Sequence, residues 1–292
     1  MKLGLVIQQF TWPGGSPRLA STLAEIAEAA DDAGFDYVGV MDHLLQIDRI
    51  GPAEHEMLEA YTALGFLAAH TRRARLMTVV TAVPFRHPSL LAKAVTTLDV
   101  LSGGRACLGI GAGGGSDAQA LGIPFPPIGE RLDILEETLQ ICLRMWTGPR
   151  GDERPYAGGH FSLGRPLNSP QSLTRPHPPI LIGGMGERRT LRLVARYADA
   201  CNLFPTPDIP RKLDALRAHC EAEGRDYDSI AKTSMFRFDV GARGEKAGEL
   251  VAGLRWLAGM GIDTVFGSVP EISGTGPLEF LRRDVIPAAR EL

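Results

Sequence analysis

The sequence predicts an α/β protein, specifically a (β/α)8 TIM barrel with an insertion between its fourth and fifth strands. Three observations carry that prediction. Short apolar runs alternate with amphipathic helical patterns from one end of the 292-residue chain to the other. The runs are nearly continuous in hydrophobicity, as strands are when helices cover a parallel sheet. Eight such strand–helix units fit a chain of this length when it closes into one barrel. A doubly wound open sheet shows the same alternation, so periodicity by itself leaves both closures standing.

The elements follow in order. Lys2–Gln8 is the first strand, and its helix places Leu19, Leu23, Ile26, Ala27 and Ala30 on one face before stopping at Gly34. The second strand, Tyr37–Asp42, closes on Asp42-His43. The third, Arg75–Val80, leads through Phe85-Arg86-His87 into a helix, Pro88–Leu101, with proline in its first turn. The fourth, Arg105–Ile110, runs into glycines 109, 111, 113, 114 and 115. A long helix, Ile128–Thr147, lines up Leu132, Leu135, Leu139, Leu143 and Trp146. Residues 148–178 then hold Pro149, Pro155, Pro166, Pro170, Pro176 and Pro178, which excludes regular helix or central strand. That stretch reads as the insertion, with a short hairpin through Tyr156 and Phe161, capping one side of the barrel. The fifth strand, Pro179–Gly183, enters a second glycine cluster and a helix expected over Glu187–Asp199. Ala200–Phe204, Lys232–Val240 and Asp263–Ser268 complete the strands, with helix stops at Gly224 and Gly261. Residues 1–292 read as a single domain.

Composition narrows the function classes. Hydrophobic content of 44% and charged content of 22% describe a globular protein with a large core. A net charge of −3 gives no global attraction for nucleic acid or an anionic membrane, and neither is an expected partner. No apolar run approaches a membrane span and the N-terminus lacks a signal-peptide pattern, so a cytoplasmic location is expected. The four cysteines, Cys107, Cys142, Cys201 and Cys220, are scattered in apolar contexts and read as buried free thiols. The seven histidines form no ligand-spaced cluster, so no metal is expected. GxSxG and Walker A patterns are absent, which removes the corresponding hydrolase and nucleotidase readings.

Three places carry chemistry. Gly109-x-Gly111-x-x-Gly114 matches a dinucleotide fingerprint literally, but no helix opens after it, so a glycine-lined loop over another ligand or a tight turn are the other readings. Ile182-Gly183-Gly184-Met185-Gly186 runs into a helix, and strand, glycines and helix N-terminus together suit a phosphate. His43 stands at the C-terminal end of a strand, where a barrel keeps its active site, and histidine there supplies acid–base chemistry near neutral pH.

Taken together, the segments GFDYVGVMDH (34–43), TAVPFRHPSLLAKAVTTLDVLSGGR (81–105), LGIGAG (108–113), LGIPFPPIGERLDILEETLQICLRMW (121–146) and RPHPPILIGGMGERRTLRLVARYADACN (175–202) resemble the luciferase-like monooxygenase family. The likeness is to its deazaflavin branch, the oxidoreductases that use coenzyme F420, and it spans nearly the whole chain. It implies a barrel and hydride transfer between F420 and an organic substrate. The alternatives are a reduced-FMN monooxygenase of the same fold and a non-catalytic flavin-binding protein. By resemblance, Asp42 hydrogen-bonds the deazaflavin head and His43 stands beside the ring as acid–base or orienting residue. Thr78, Val79 and Thr81 belong to a third-strand bulge with a non-prolyl cis peptide at Thr78–Val79 or the adjacent bond. Ala112 and Gly113 bring main chain to the cofactor, and Gly183, Gly184, Met185, Gly186 and Glu187 hold its phosphate. Two departures stand out. Related dehydrogenases place a glutamate proton donor, or a bulky aromatic, where this chain has Gly114-Gly115. The aromatic that several relatives carry beyond His43 is also missing, since the segment reads LLQIDR. The extra glycines imply a wide mouth and a bulky substrate. The expected partner is a small-molecule substrate, with a homodimer left open.

Overall fold

The computed structural model describes residues 1–114, 116–270 and 272–292. Gly115, one of the two glycines that replace the family's bulky turn residue, lies outside the described residues. The strands are β1 (Lys2–Ile7), β2 (Tyr37–Val40), β3 (Arg75–Thr78), β4 (Thr81–Ala82), β5 (Leu108–Gly111), β6 (Tyr156–Ala157), β7 (Ser162–Leu163), β8 (Ile180–Gly183), β9 (Ala200–Leu203), β10 (Ala231–Arg237) and β11 (Thr264–Ser268). The helices are α1 (Ser16–Ala33), α2 (Ala60–Ala69), α3 (Pro88–Leu101), α4 (Ser116–Ala120), α5 (Ile128–Trp146), α6 (Thr190–Tyr197), α7 (Ile209–Glu223) and α8 (Ala247–Gly259). A last helical segment over 276–290 contains a π turn at Leu281–Val285.

Nine strands form one parallel sheet in the order β3-β2-β1-β11-β10-β9-β8-β5-β4. β3 and β4 are the two halves of the third barrel strand, one paired to β2 and the other to β5. A parallel bridge between Leu76 and Ala106 joins the ends of the sheet, with Leu76 N–H donating to Arg105 O at 2.8 Å. The sheet therefore closes with eight staves, which resolves the open-sheet alternative in favour of the (β/α)8 barrel. The strand breaks after Thr78, and the Val79–Val80 peptide, one bond beyond Thr78–Val79, is cis.

The break forces backbone against backbone. A Cβ at Gly109 would lie 1.9 Å from Thr78 O, and one at Gly39 would lie 2.7 Å from Met77 O. At Gly111 and Gly183 a Cβ would meet Val80 Cγ2 at 3.1 and 3.2 Å. These glycines are thus required by the barrel wall itself, so part of the glycine signal in the sequence is packing and not ligand.

Inside the barrel, Val6, Met41, Met77, Cys107, Leu181 and Phe266 form a small buried layer. The rings of Phe266 and Tyr37 meet edge to face at 5.2 Å. The larger core lies between the sheet and the helices, where α1 buries Leu23, Ile26, Ala27 and Ala30. Helices α1 and α7 stop on left-handed Gly34 and Gly224, while α8 ends at Gly259 and Gly261 turns the chain two residues later. All four cysteines are buried and free. Burial pushes the Cys107 thiol up to about 11 and those of Cys142 and Cys201 to about 12.

The segment after α5 makes the hairpin β6–β7, pairing Tyr156 with Leu163. Glu137 of α5 accepts from the amides of Gly159, His160 and Phe161, and Tyr156 Oη donates to Gln140 at 3.1 Å. Further on, Asp99 of α3 accepts from the amides of Leu173 and Thr174 at 2.7 and 2.9 Å. The segment is strapped along the flank formed by α3 and α5, with Phe161 packed edge to face on His87 at 5.2 Å.

One prediction follows from the close approach at the third strand. Gly109→Ala should destabilise the fold by about 3 kcal/mol or more, because the blocking atom is backbone and cannot swing away. Gly114→Ala, whose Cβ would meet nothing within 4 Å, should leave stability within about 0.5 kcal/mol. Chemical denaturation of the two variants against the parent chain measures the contrast.

Candidate active site

Every residue singled out from the sequence falls at the C-terminal end of the strands, but in three different settings. The first is a charged network that the sequence did not reveal. Asp42 has a fully enclosed carboxylate, and Arg86 grips both of its oxygens, one of them at 2.9 Å. Arg86 also pairs with Glu59, which caps α2 by accepting from Thr62 N–H at 2.7 Å. The guanidinium lies 4.7 Å from the centroid of Tyr61, whose hydroxyl meets Thr81 Oγ1 at 2.9 Å. Thr81 bonds Thr78 at 2.9 Å, and Thr78 donates to Gly109 O at 2.8 Å. A chain of polar contacts therefore runs from the end of β2 through both halves of the third strand to β5. Asp42, Thr78 and Thr81 spend their side chains inside it and are buried. The Asp42 carboxylate, which the resemblance assigns to the deazaflavin head, is held here by Arg86.

Electrostatics agree with the geometry. Burial pushes the Glu59 carboxyl up, but the Thr62 and Arg86 hydrogen bonds outweigh it and hold the group at about 2. Arg86 moves up despite its burial, because two carboxylates face it. Burial likewise raises Tyr61, with the Asp42 charge adding to it.

The second setting is the glycine turn after β8. Gly184 adopts φ +138°, and a Cβ there would meet Thr190 Cγ2 at 3.1 Å. A Cβ at Gly186 would meet Thr190 Oγ1 at 2.8 Å. The turn and the start of α6 thus enclose a hollow that any side chain would fill. Its helix opens at Thr190 and not at Glu187, because Glu187 is drawn sideways to α7, where Lys212 and Arg211 pair with it at 2.7 and 2.8 Å. Gly184 N–H is already given to Asn202 O at 3.1 Å. Met185 accepts from Phe204 N–H through its sulfur at 3.2 Å. Arg189 is tied to α5 through Gly129 O at 2.9 Å and through Asp133, while Arg188 is exposed.

The third setting is the mouth beside β5. Arg131 of α5 donates to Ala112 O at 2.9 Å and Pro126 O at 2.6 Å, and it stacks 4.2 Å from the Phe125 centroid. It fixes the main chain of Ala112 and Gly113, and Gly113, at φ +81°, has Ala82 where a Cβ would sit. Val80, between Gly111 and Gly183, covers the floor between this loop and the glycine turn. His43 is partly exposed at the same mouth and its Nδ1 lies 3.2 Å from Asp117. Arg86, Arg131 and Asp117 were not read from the sequence as site residues, because each acts through a side-chain contact with a residue distant in the chain.

A cleft of about 680 Å³ opens across the strand ends next to these settings, on the side of β1, β9, β10 and β11. Its walls include Gln8, Arg49, Phe204, Met235 and Arg237. None of the residues singled out from the sequence lines it; Phe204, bonded to Met185, links it to the glycine turn.

The model of the luciferase-like monooxygenase family matches residues 1–282. The chain belongs to that family. The chain is 32% identical over 220 residues to an F420-dependent glucose-6-phosphate dehydrogenase of Nakamurella multipartita, covering 72% of this chain and 61% of that enzyme. It spans 58% of the length of mycobacterial relatives that match at 35% identity and are described as uncharacterized. Among solved structures, the F420-dependent tetrahydromethanopterin reductase of Methanopyrus kandleri superposes with a TM-score of 0.75 at 18% identity, over 98% of both chains. A riboflavin lyase with modified FMN and riboflavin reaches 0.81 at 16% identity, over 100% of this chain and 91% of that one. At these identities the structural likeness bears on the fold alone. Among the described residues no cluster of histidine, cysteine or acidic side chains could hold a metal, and no helix is long and apolar enough to cross a membrane.

Two predictions test the charged network of this luciferase-like barrel. Arg86→Met strands the buried Asp42 carboxylate and should cost about 3–5 kcal/mol, most of it recovered when Asp42 is also made apolar. Calorimetric unfolding of the single and double variants checks this. Because the folded Glu59 carboxyl lies below its ordinary 4.5, its contribution is complete above that pH and is lost as pH falls toward about 2. The gap in Tm between the parent and Glu59→Gln should therefore be widest near neutral pH and close on acidification through that window.

Proposed function

We propose that this protein is an F420-dependent oxidoreductase that moves hydride between the deazaflavin and an organic substrate held at the barrel mouth. The observation that carries the proposal is the hollow left by the absent side chains of Gly184 and Gly186 against Thr190, directly beyond the end of β8. A hollow that a single Cβ would fill, at the start of a helix, suits a phosphate. Glu187 serves the turn from behind by pinning it to α7. Ala112 and Gly113, held by Arg131, present main chain beside the floor made by Val79 and Val80. Asp42, Thr78 and Thr81 stiffen that floor from below through Arg86.

When bound, the deazaflavin supplies the hydride chemistry, and the protein's share is orientation, proton handling and exclusion of water. His43 holds or takes the proton that accompanies hydride transfer. With Gly114 where relatives carry glutamate, His43 is the imidazole left at this mouth to handle a proton. Open space over Gly114 suits a bulky substrate.

FMN has one phosphate too and fits the same hollow. The cleft beyond Phe204 favours F420, because Arg49 and Arg237 face into it and the deazaflavin carries an anionic lactyl-glutamyl tail that FMN lacks. Titration of the protein with F420 and with FMN tests the choice. F420 should bind at least about 10-fold more tightly, and Arg237→Ala should erode that preference while leaving FMN affinity unchanged. Gly186→Val should weaken both, and the Tm of the variant separates lost binding from a disturbed fold. Equal affinity for F420 in parent and Gly186→Val would remove the phosphate assignment.

A further inference from the structure

We infer that Asp117 is a positioning residue that fixes which nitrogen of His43 carries the ring proton. The inference rests on the reading of His43 as the proton-handling group, but its geometry stands apart from any cofactor. Asp117 sits on the short helix α4, and its side chain is 1% exposed. One carboxylate oxygen accepts from Leu44 N–H at 2.9 Å and lies 3.2 Å from His43 Nδ1. The other oxygen is buried and has no partner among the described residues. This carboxylate is held in place from both directions. Leu121 N–H donates to the Asp117 carbonyl at 3.0 Å, and Ile123 N–H to that of its neighbour Ala118 at 2.8 Å, so the backbone behind it is closed.

A carboxylate is an acceptor only, so the ring nitrogen facing it must carry a proton. Nδ1 of His43 therefore donates, and in the neutral ring Nε2 is left with its lone pair. Nε2 has no hydrogen-bond partner among the described residues, and the ring is partly exposed toward the mouth. A neutral histidine in water prefers the opposite arrangement, with the proton on Nε2. Asp117 thus selects the tautomer that can accept a proton from a substrate giving up hydride. Once that proton arrives, Asp117 balances the charge of the imidazolium at a distance where burial strengthens the attraction. Leu44 N–H, bonded to the same oxygen, prevents the carboxylate from swinging away when the ring changes charge.

The test is nitrogen NMR of protein labelled at histidine, without cofactor, with the His43 signals assigned by their loss in His43→Gln. At a pH where the ring is neutral, the parent chain should show the proton on Nδ1. In Asp117→Leu, close to Asp in size and without an acceptor, the Nδ1 proton should be lost and the Nε2-protonated form should predominate. A parent ring protonated on Nε2 overturns the inference, and that measurement needs no variant to fold. An unchanged ring in Asp117→Leu also overturns it. Titration of the same samples with F420 separates the two ideas: the tautomer result stands or falls without cofactor, whereas failure of F420 to bind the parent chain defeats the functional reading alone.

Discussion

The third strand of this barrel stops after Thr78 and restarts at Thr81, and much of the mouth is arranged around that interruption. Continuous strands keep their neighbours at a distance that tolerates side chains. Where the strand turns outward, Thr78 O and Val80 press on the adjoining backbone, and Gly39, Gly109, Gly111 and Gly183 occupy the places where a Cβ would collide. Two glycines of the sequence's most conspicuous motif therefore belong to the wall. Past that wall, at Gly184 and Gly186, glycine leaves a hollow bounded by the side chain of Thr190. The division between wall and hollow is what gives the mouth a rigid floor beside an open turn.

The polar chain beneath the floor complements it. Asp42, Arg86, Glu59, Tyr61, Thr81 and Thr78 cross four elements through hydrogen bonds, ion pairs and one cation–π contact, and such a network specifies one arrangement of the strand ends. The carboxylates facing Arg86 have unequal surroundings. Asp42 is sealed against the guanidinium, whereas Glu59 reaches solvent and loses its charge only in strong acid.

Much of the architecture was legible in the residues because it is periodic. The eight strand runs, the apolar faces of α1 and α5, and the proline-rich gap each repeat a signal over many positions. The break in the third strand was not legible from periodicity, since Val79 and Val80 merely prolong an apolar run, and only the family likeness pointed to the bulge. The site was legible in part for the same reason. Glycine clusters and a histidine at a strand end are visible as letters, but a sequence does not say what a glycine is making room for. Glu187 illustrates the limit. It reads as the first residue of a helix, yet two cations on α7 pull it out of that role and delay the helix to Thr190. Arg86 and Asp117 matter through a single partner far away in the chain, and no local pattern announces such pairs.

Gly114 stands apart from its neighbours. A Cβ there would meet nothing within 4 Å among the described residues, whereas Ile110 and Ala118, four residues earlier and later, are buried. Position 114 is thus a point where the lining of the mouth can vary while the barrel remains indifferent. For a lineage, this means that substrate preference can drift at this residue without first acquiring a compensating change elsewhere. For a designer, it marks a place to begin a library, because selection there would report on chemistry at the mouth with little interference from folding.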